Sequence, residues 1–336
     1  MTSILDPIVV RGNAIKNRLA MAPMVTFSFK GDRGNYYGER HVAHYTDAAA
    51  AGTGLIIAQS TNVAGVASGA GMWTPGSRNA LRAIAQSARC HGATIMLQLS
   101  GGSDADKDIN RWTTDEILAR QQELLEAALT AARLGFNGVE YHLAHGFTLC
   151  RFMDAAANRR TDAFGGSLEN RLRIVTDIVP ELRDNTPENF IISARIGEFA
   201  PSSEEGLAAA RHLERCGFDM LDVTFGMTMP EGPVPDGFEF SPVTHSGYVI
   251  KQAVGIPVMG CYGVRTPGQA RLLVEKGYAD LAGVGRAMLA DPRFAAATLH
   301  GEPYNPCAAC KRCFWFTDHA KCPARKAAEQ TFARAV

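Results

Sequence analysis

The sequence predicts an α/β protein: a (β/α)8 TIM barrel with a short cysteine-containing C-terminal extension. Three observations lead there. Eight short apolar runs alternate with longer helical patterns along the 336 residues. A doubly wound sheet carries a glycine-rich phosphate turn after its first strand, but here that run closes in Ala22-Pro23-Met24. The glycine-rich candidates come late, after the last two runs, where β/α barrels hold phosphate.

The eight runs span residues 19–24, 54–58, 94–99, 138–142, 190–195, 220–224, 257–259 and 280–284. Each is apolar nearly throughout, as expected of a parallel strand covered on both faces. Helices are predicted over 41–51, 79–90, 116–134, 169–182, 205–216 and 269–276. Thr113-x-x-Glu116 and Ser202-x-x-Glu205 have the form of capping boxes, and Thr266-Pro267-Gly268-Gln269 adds proline at the first helical position. Gly135 stops the longest helix. Residues 1–302 read as the barrel and 303–336 as a cysteine-rich tail.

Hydrophobic residues make up 46% of the chain, enough for a sizeable core, and 34 basic residues balance 34 acidic ones. That balance argues against an electrostatic grip on nucleic acid or membrane. No apolar run approaches the ~20 residues that span a bilayer. The opening MTSILDPIVV lacks a basic stretch followed by an apolar signal core, so a cytoplasmic location is expected. The eight cysteines fit thiols or metal ligands better than a disulfide framework.

Barrel chemistry gathers at the C-terminal ends of the strands. There the sequence sets Gln98, His142 and His145, Arg195, and Gly285-Arg286. Two adjacent imidazoles suit an oxyanion or carbonyl oxygen, though a hydrogen-bonded structural pair or a metal site has the same spacing. Gly263, Gly285 and Arg286 suit a phosphate: glycines admit its oxygens to backbone N–H groups and arginine supplies charge. Arg195 follows an apolar run and is costly to bury unpaired. Glu198 is one candidate partner, and negative charge on a bound ring system is the other.

Over about residues 5–300 the motifs together resemble the old yellow enzyme family of FMN-dependent ene-reductases. The resemblance rests on their order. Asn17-Arg18-Leu19-Ala20-Met21-Ala22-Pro23-Met24 is similar to that family's first strand and Gly54-Leu55-Ile56-Ile57 to its second. Gln98 and His142-x-x-His145-Gly146 follow. Then come Asn158-Arg159-Arg160-Thr161-Asp162, Phe164-Gly165-Gly166-Ser167 and Glu169-Asn170-Arg171, and finally Ala279-Asp280-Leu281, Gly285-Arg286 and Asp291-Pro292. The resemblance implies FMN as cofactor and NAD(P)H as reductant. Ala22, Pro23, Met24 and Val25 would lie beside the flavin, Ser60 and Gln98 on its pyrimidine edge, and Arg195 at N1/O2. Gly263, Gly285 and Arg286 would hold the phosphate. His142 and His145 would bind the oxygen of a small-molecule substrate, with Phe147 and Thr26 alongside. Hydride would pass through flavin N5 to an activated C=C bond. A homo-oligomer is compatible with the pattern.

Two departures stand out. The family places tyrosine directly after His-Gly as proton donor, and this chain has Phe147. Water or another group then supplies the proton, with Tyr36, Tyr37 and Cys150 as candidates, and nitro reduction, dehydrogenation, isomerisation or an unusual substrate are the alternative chemistries. The stretch from Ser100-Gly101-Gly102-Ser103 to Trp112 is short for the family, which predicts an open substrate mouth or one closed by a neighbouring subunit. In the tail, Cys307-x-x-Cys310-x-x-Cys313 and Cys322 suggest a [4Fe–4S] cluster or zinc, and with it an electron-transfer role as the alternative function.

Overall fold

The computed structural model describes residues 2–29, 36–66, 68–102, 108–198, 203–230 and 233–333. Eight parallel strands close into a barrel: β3 (Leu19–Met21), β4 (Leu55–Asn62), β5 (Thr94–Ser100), β6 (Gly138–Leu143), β7 (Ile191–Glu198), β8 (Met220–Phe225), β9 (Val258–Gly260) and β10 (Leu281–Val284). Each pairs with its neighbour in sequence, and β10 returns to β3. All eight expected strands are present, with ends displaced by up to four residues. Ala22, Pro23 and Met24, expected in the first strand, lie beyond β3 as extended loop.

A two-stranded antiparallel hairpin, β1 (Ile8–Val10) and β2 (Asn13–Ile15), precedes the barrel. Its strands are too short for sequence periodicity to reveal. Val10 and Ile15 join Ala20, Leu55, Ile57, Met96, Ile191, Met220, Met259 and Leu281 in an inner apolar cluster. The hairpin therefore plugs the end of the barrel where the strands begin.

Around the barrel lie α1 (Glu39–Ala50), α2 (Pro75–Cys90), α3 (Thr114–Leu134), α4 (Thr148–Met153), α5 (Leu168–Thr176), α6 (Val179–Asp184), α7 (Ser203–Arg215), α8 (Pro242–Lys251), α9 (Pro267–Glu275), α10 (Arg286–Ala290), α11 (Phe294–His300) and α12 (Pro323–Ala333). Both described capping boxes form: Thr113 with Glu116 on α3, and Thr266 with Gln269 on α9. Gly135 closes α3 at φ 93°, a conformation with little steric cost for glycine alone. The box expected at Ser202 lies outside the described residues. The single helix expected over 169–182 is two, because Pro180 has no N–H to continue α5 and starts α6 instead.

The tail packs on the barrel. Trp315 is buried against Phe29 and His44, and the side chains of Ser28 and His319 meet at 2.9 Å. Arg325 pairs with Asp47 of α1 at 3.3 Å. Among the described residues no helix is long and apolar enough to cross a membrane.

Candidate active site

Strand side chains alternate inward and outward. Two residues on from the inner apolar cluster, the inward positions turn polar: Met96 leads to Gln98, Ile191 to Ser193 and Arg195, Met220 to Asp222, and Met259 to Cys261. Glu140 stands beside them, in register with Gln98 and Ser193. Arg195 is central. Its Nε lies 2.9 Å from Asp222 Oδ2, Nη2 points to Cys261 Sγ at 3.4 Å, and Nη1 donates to the Pro23 carbonyl at 3.4 Å. Asp222, across the ladder on β8, is therefore its carboxylate partner among the described side chains, and the Glu198 side chain lies outside them. Gln98 Nε2 donates to Glu140 Oε1 at 2.7 Å. Complete burial, then the charge of Asp222, pushes the Glu140 carboxyl well above its usual range, so it keeps its proton. Asp222 carries the charge opposite Arg195.

Above this layer opens a cavity of about 750 Å³. The strand order sets its perimeter. Gly285 and Arg286 follow β10, and next to them Ala22, Pro23, Met24 and Val25 follow β3. Ser60 comes from β4, Gln98 from β5, His142, His145 and Phe147 from β6, and Arg195 from β7, and Gly263 after β9 completes the circle. In an eight-stranded ring β6 faces β10, so the imidazoles stand across the mouth from Arg286. A shift in the β4–β5 register between Ala58 and Thr61 accompanies two adjacent polar contacts. Gln59 is buried against Thr26, and Ser60 reaches the cavity. Thr26, expected beside the substrate, is withdrawn: its amide and hydroxyl both donate to Gln59 Oε1, at 2.8 and 2.5 Å.

His142 and His145 form the middle of a hydrogen-bonded row. Ser60 Oγ lies 3.3 Å from His142 Nδ1, His142 Nε2 lies 2.9 Å from His145 Nδ1, and His145 Nε2 lies 3.0 Å from Thr224 Oγ1. His145 adopts φ 62°, rare for a residue with a Cβ, which turns its ring back toward β8. Burial, then His145 and Arg195, holds His142 well below the ordinary imidazole range. Burial, then Arg195, brings His145 down to about 3. Both rings are neutral near pH 7, so the pair can polarise an oxygen only through N–H donors.

At the opposite side, Gly263 has φ 89° and open space where a Cβ would project. At Gly285 a Cβ would come within 2.9 Å of Met24 Sδ. Among the described residues the Arg286 side chain has no hydrogen-bond or ion-pair partner, and neither does that of Arg265, which also lines the cavity. Sequence reading missed Arg265, Thr224 and Tyr262. It also missed the tail's share of the wall, which comes from Cys307, Ala309 and Phe316. Glu140 and Asp222 did leave a signal: each is a lone charge inside an otherwise apolar strand. At the rim, Phe27, Phe147, Tyr262 and Phe316 are 40% to 67% exposed. Residues 103–107, part of the short stretch after Gln98, lie outside the described residues.

The tail cysteines do not form the expected ligand set. Burial, then Cys307, raises the Cys313 thiol pKa, with Cys322 contributing. Yet among the described residues no three His, Cys, Asp or Glu side chains are grouped to hold a metal ion. Cys322 is instead buried with Trp315 in the hydrophobic core.

The sequence profile of the NADH:flavin oxidoreductase / NADH oxidase family matches residues 3–114 and 102–305. An NADPH dehydrogenase of Halalkalibacterium halodurans is 30% identical over 312 residues, covering 84% of this chain and 90% of that protein. Among solved structures, an old yellow enzyme homologue from Zymomonas mobilis superposes with a TM-score of 0.73 at 22% identity, over 96% of this chain and 99% of that one. A 2-naphthoyl-CoA reductase superposes at 0.83 and 21% identity, over 99% of this chain but only 58% of the other.

Proposed function

Because the chain belongs to the NADH:flavin oxidoreductase / NADH oxidase family, we propose that it reduces an activated C=C bond, in an α,β-unsaturated carbonyl or nitro compound. NAD(P)H is the reductant, and the enzyme is a flavin oxidoreductase of the old yellow enzyme type. Residues 1–302 make the catalytic barrel and 303–336 an extension that helps wall its site.

One observation carries the reading: an unpaired arginine and an open glycine face a neutral histidine pair across a single cavity. FMN suits this arrangement. Gly263, Gly285 and Arg286 would take its phosphate, and Ala22, Pro23, Met24 and Val25 would flank its ring. Ser60 and Gln98 would meet the pyrimidine edge. Gln98 Nε2 donates to Glu140, and its remaining amide donor and its carbonyl oxygen would be available to the ring. Arg195, paired with Asp222, would face negative charge at N1/O2. Bound FMN supplies the relay of hydride from nicotinamide to substrate.

The chain's own contribution is placement and polarisation. His142 and His145 hold the carbonyl or nitro oxygen by N–H donation, and the donors gain strength as charge builds on that oxygen. The apolar rim excludes water and keeps a flat substrate against the ring. The test is the visible spectrum of the purified protein. Flavin bands that bleach with NADH or NADPH and return on adding an enone support the reading. A colourless protein that refuses added FMN overturns it.

A further inference from the structure

Phe147 stands where a proton donor is needed, at 41% exposure beside His142. We propose that Tyr36 is the acid that protonates the substrate's α-carbon. The proposal rests on the ene-reduction reading above.

Several groups in and around the cavity carry a proton. Tyr37 is fully buried away from the cavity, with its hydroxyl 2.6 Å from Thr61 Oγ1. Cys150 is buried on α4 and does not reach the cavity. Cys261 lines the floor, but its thiol donates to the Val223 carbonyl at 3.0 Å, and burial pushes its pKa to about 12. Cys307 lines the wall from the tail, next to Cys313, which also neighbours Arg286. Tyr262 lines the cavity beside Gly263 and packs on Phe225, which packs on His145, but it stands exposed at the rim. The two histidines, hydrogen-bonded in a row, are assigned in this reading to the substrate oxygen and not to its α-carbon.

Tyr36 is placed differently. It lines the cavity, and at rest its hydroxyl donates to the backbone carbonyl of Ser60 at 3.0 Å. The side chain of that same Ser60 lies 3.3 Å from His142. The phenol therefore borders the histidine side of the cavity, on the β4 edge. Its backbone N–H donates to Ser77 Oγ at 2.9 Å, and its ring packs against Tyr37 with centroids 5.3 Å apart. Its hydroxyl is therefore a phenolic proton on the imidazole side of the cavity, one that leaves the Ser60 carbonyl to reach a substrate whose oxygen rests on the imidazoles.

The step balances without another reagent. Hydride adds to the β-carbon, and the C=C π electrons move onto the α-carbon and its oxygen as an enolate. The α-carbon then forms a C–H bond with the Tyr36 proton as the phenolic O–H bond breaks. Water returns a proton to the phenolate. Burial raises the phenol's pKa, which suits donation to a strong carbon base and not to water.

The experiment uses the flavin-loaded enzyme and a cyclic enone carrying an α-substituent, in D2O. Rapid mixing gives the rates of flavin reduction and of its reoxidation by the enone, and product analysis gives the configuration of deuterium at the α-carbon. In Tyr36→Phe the ratio of reoxidation to reduction rates should fall by roughly 10²-fold, and the α-carbon should lose its preferred configuration. Adding Phe147→Tyr to that variant should restore both. An unchanged ratio with unchanged α-configuration, in a Tyr36→Phe protein of wild-type melting temperature, overturns the proposal while the enzymatic reading stands. Wild-type flavin that no enone reoxidises removes both.

Discussion

Nε2 of His142 lies 2.9 Å from Nδ1 of His145, and each ring's remaining nitrogen is tied to a hydroxyl, Ser60 on one side and Thr224 on the other. Two neutral rings in a row have only two self-consistent proton arrangements, one running toward Thr224 and one away. Thr224 thus helps fix which ring presents an N–H. Thr224→Val removes a single neutral hydrogen bond, worth ~1 kcal/mol, so kcat/KM for an enone should fall about fivefold. His142→Ala removes the polarising donor and should cost roughly 10²–10³-fold. Steady-state kinetics normalised to flavin content would separate the two. Equal losses would refute the distinction.

Arg195 is expected to matter to the fold before any ligand binds. Asp222 has no exposure to water and faces Arg195 at 2.9 Å. Arg195→Leu leaves that carboxylate unpaired in the barrel, at a cost of ~3–5 kcal/mol. Arg195→Leu with Asp222→Leu should recover much of the loss. Urea unfolding of the flavin-free proteins measures both, and a double variant no more stable than the single one contradicts the pairing.

Gly263→Ala separates backbone strain from ligand contact. At φ 89° with open space around it, an added methyl meets only its own backbone. The flavin-free protein should lose ~1–2 kcal/mol. If phosphate oxygens approach this turn, the FMN dissociation constant should rise by more than that loss implies, about a hundredfold in a fluorescence titration. An unchanged constant removes Gly263 from the phosphate site.

Acid should loosen the tail's seat. His41 and His44 are buried on α1, His44 against Trp315. Burial lowers them to about 4 and about 3, with Arg325 adding to the effect on His44. The unfolded chain takes up these protons near pH 6.5, and the fold refuses them until pH 4 or below. Stability is therefore flat above pH 6.5 and declines as pH falls toward 4, by up to ~1.4 kcal/mol per pH unit for each ring. Melting temperatures between pH 7.5 and 4.5 test this, and a flat profile contradicts it.

How far the sequence reveals this molecule depends on the range of the interaction. The barrel strands were legible because each is buried on both faces and must be apolar along its length, as Leu55–Asn62 and Thr94–Ser100 show. Many pocket-lining residues were legible because strand ends point at the mouth, but Tyr262 and Arg265 in the loop after β9, and the tail's share of the wall, were not. The α5–α6 break was not, since apolar periodicity runs through Ile178 and masks the effect of Pro180. Thr26 was misread because its partner Gln59 lies on another strand. Which carboxylate faces Arg195 was not legible, since Asp222 is distant in sequence and meets it only across the ladder on β8. The tail cysteines suggested a metal by spacing alone, and spacing carries no information about Trp315 drawing Cys322 into the core.

The wall contributed by Cys307, Ala309 and Phe316 also has a consequence for biosynthesis. The loop after β3 emerges early, yet its Ser28 waits for His319, which the ribosome adds 291 residues later. All eight strands can leave the exit tunnel and pair while this side of the pocket is still held inside it. A nascent chain stalled once β10 has cleared the tunnel would display a barrel with one flank missing, exposing Phe29 to whatever chaperone is at hand.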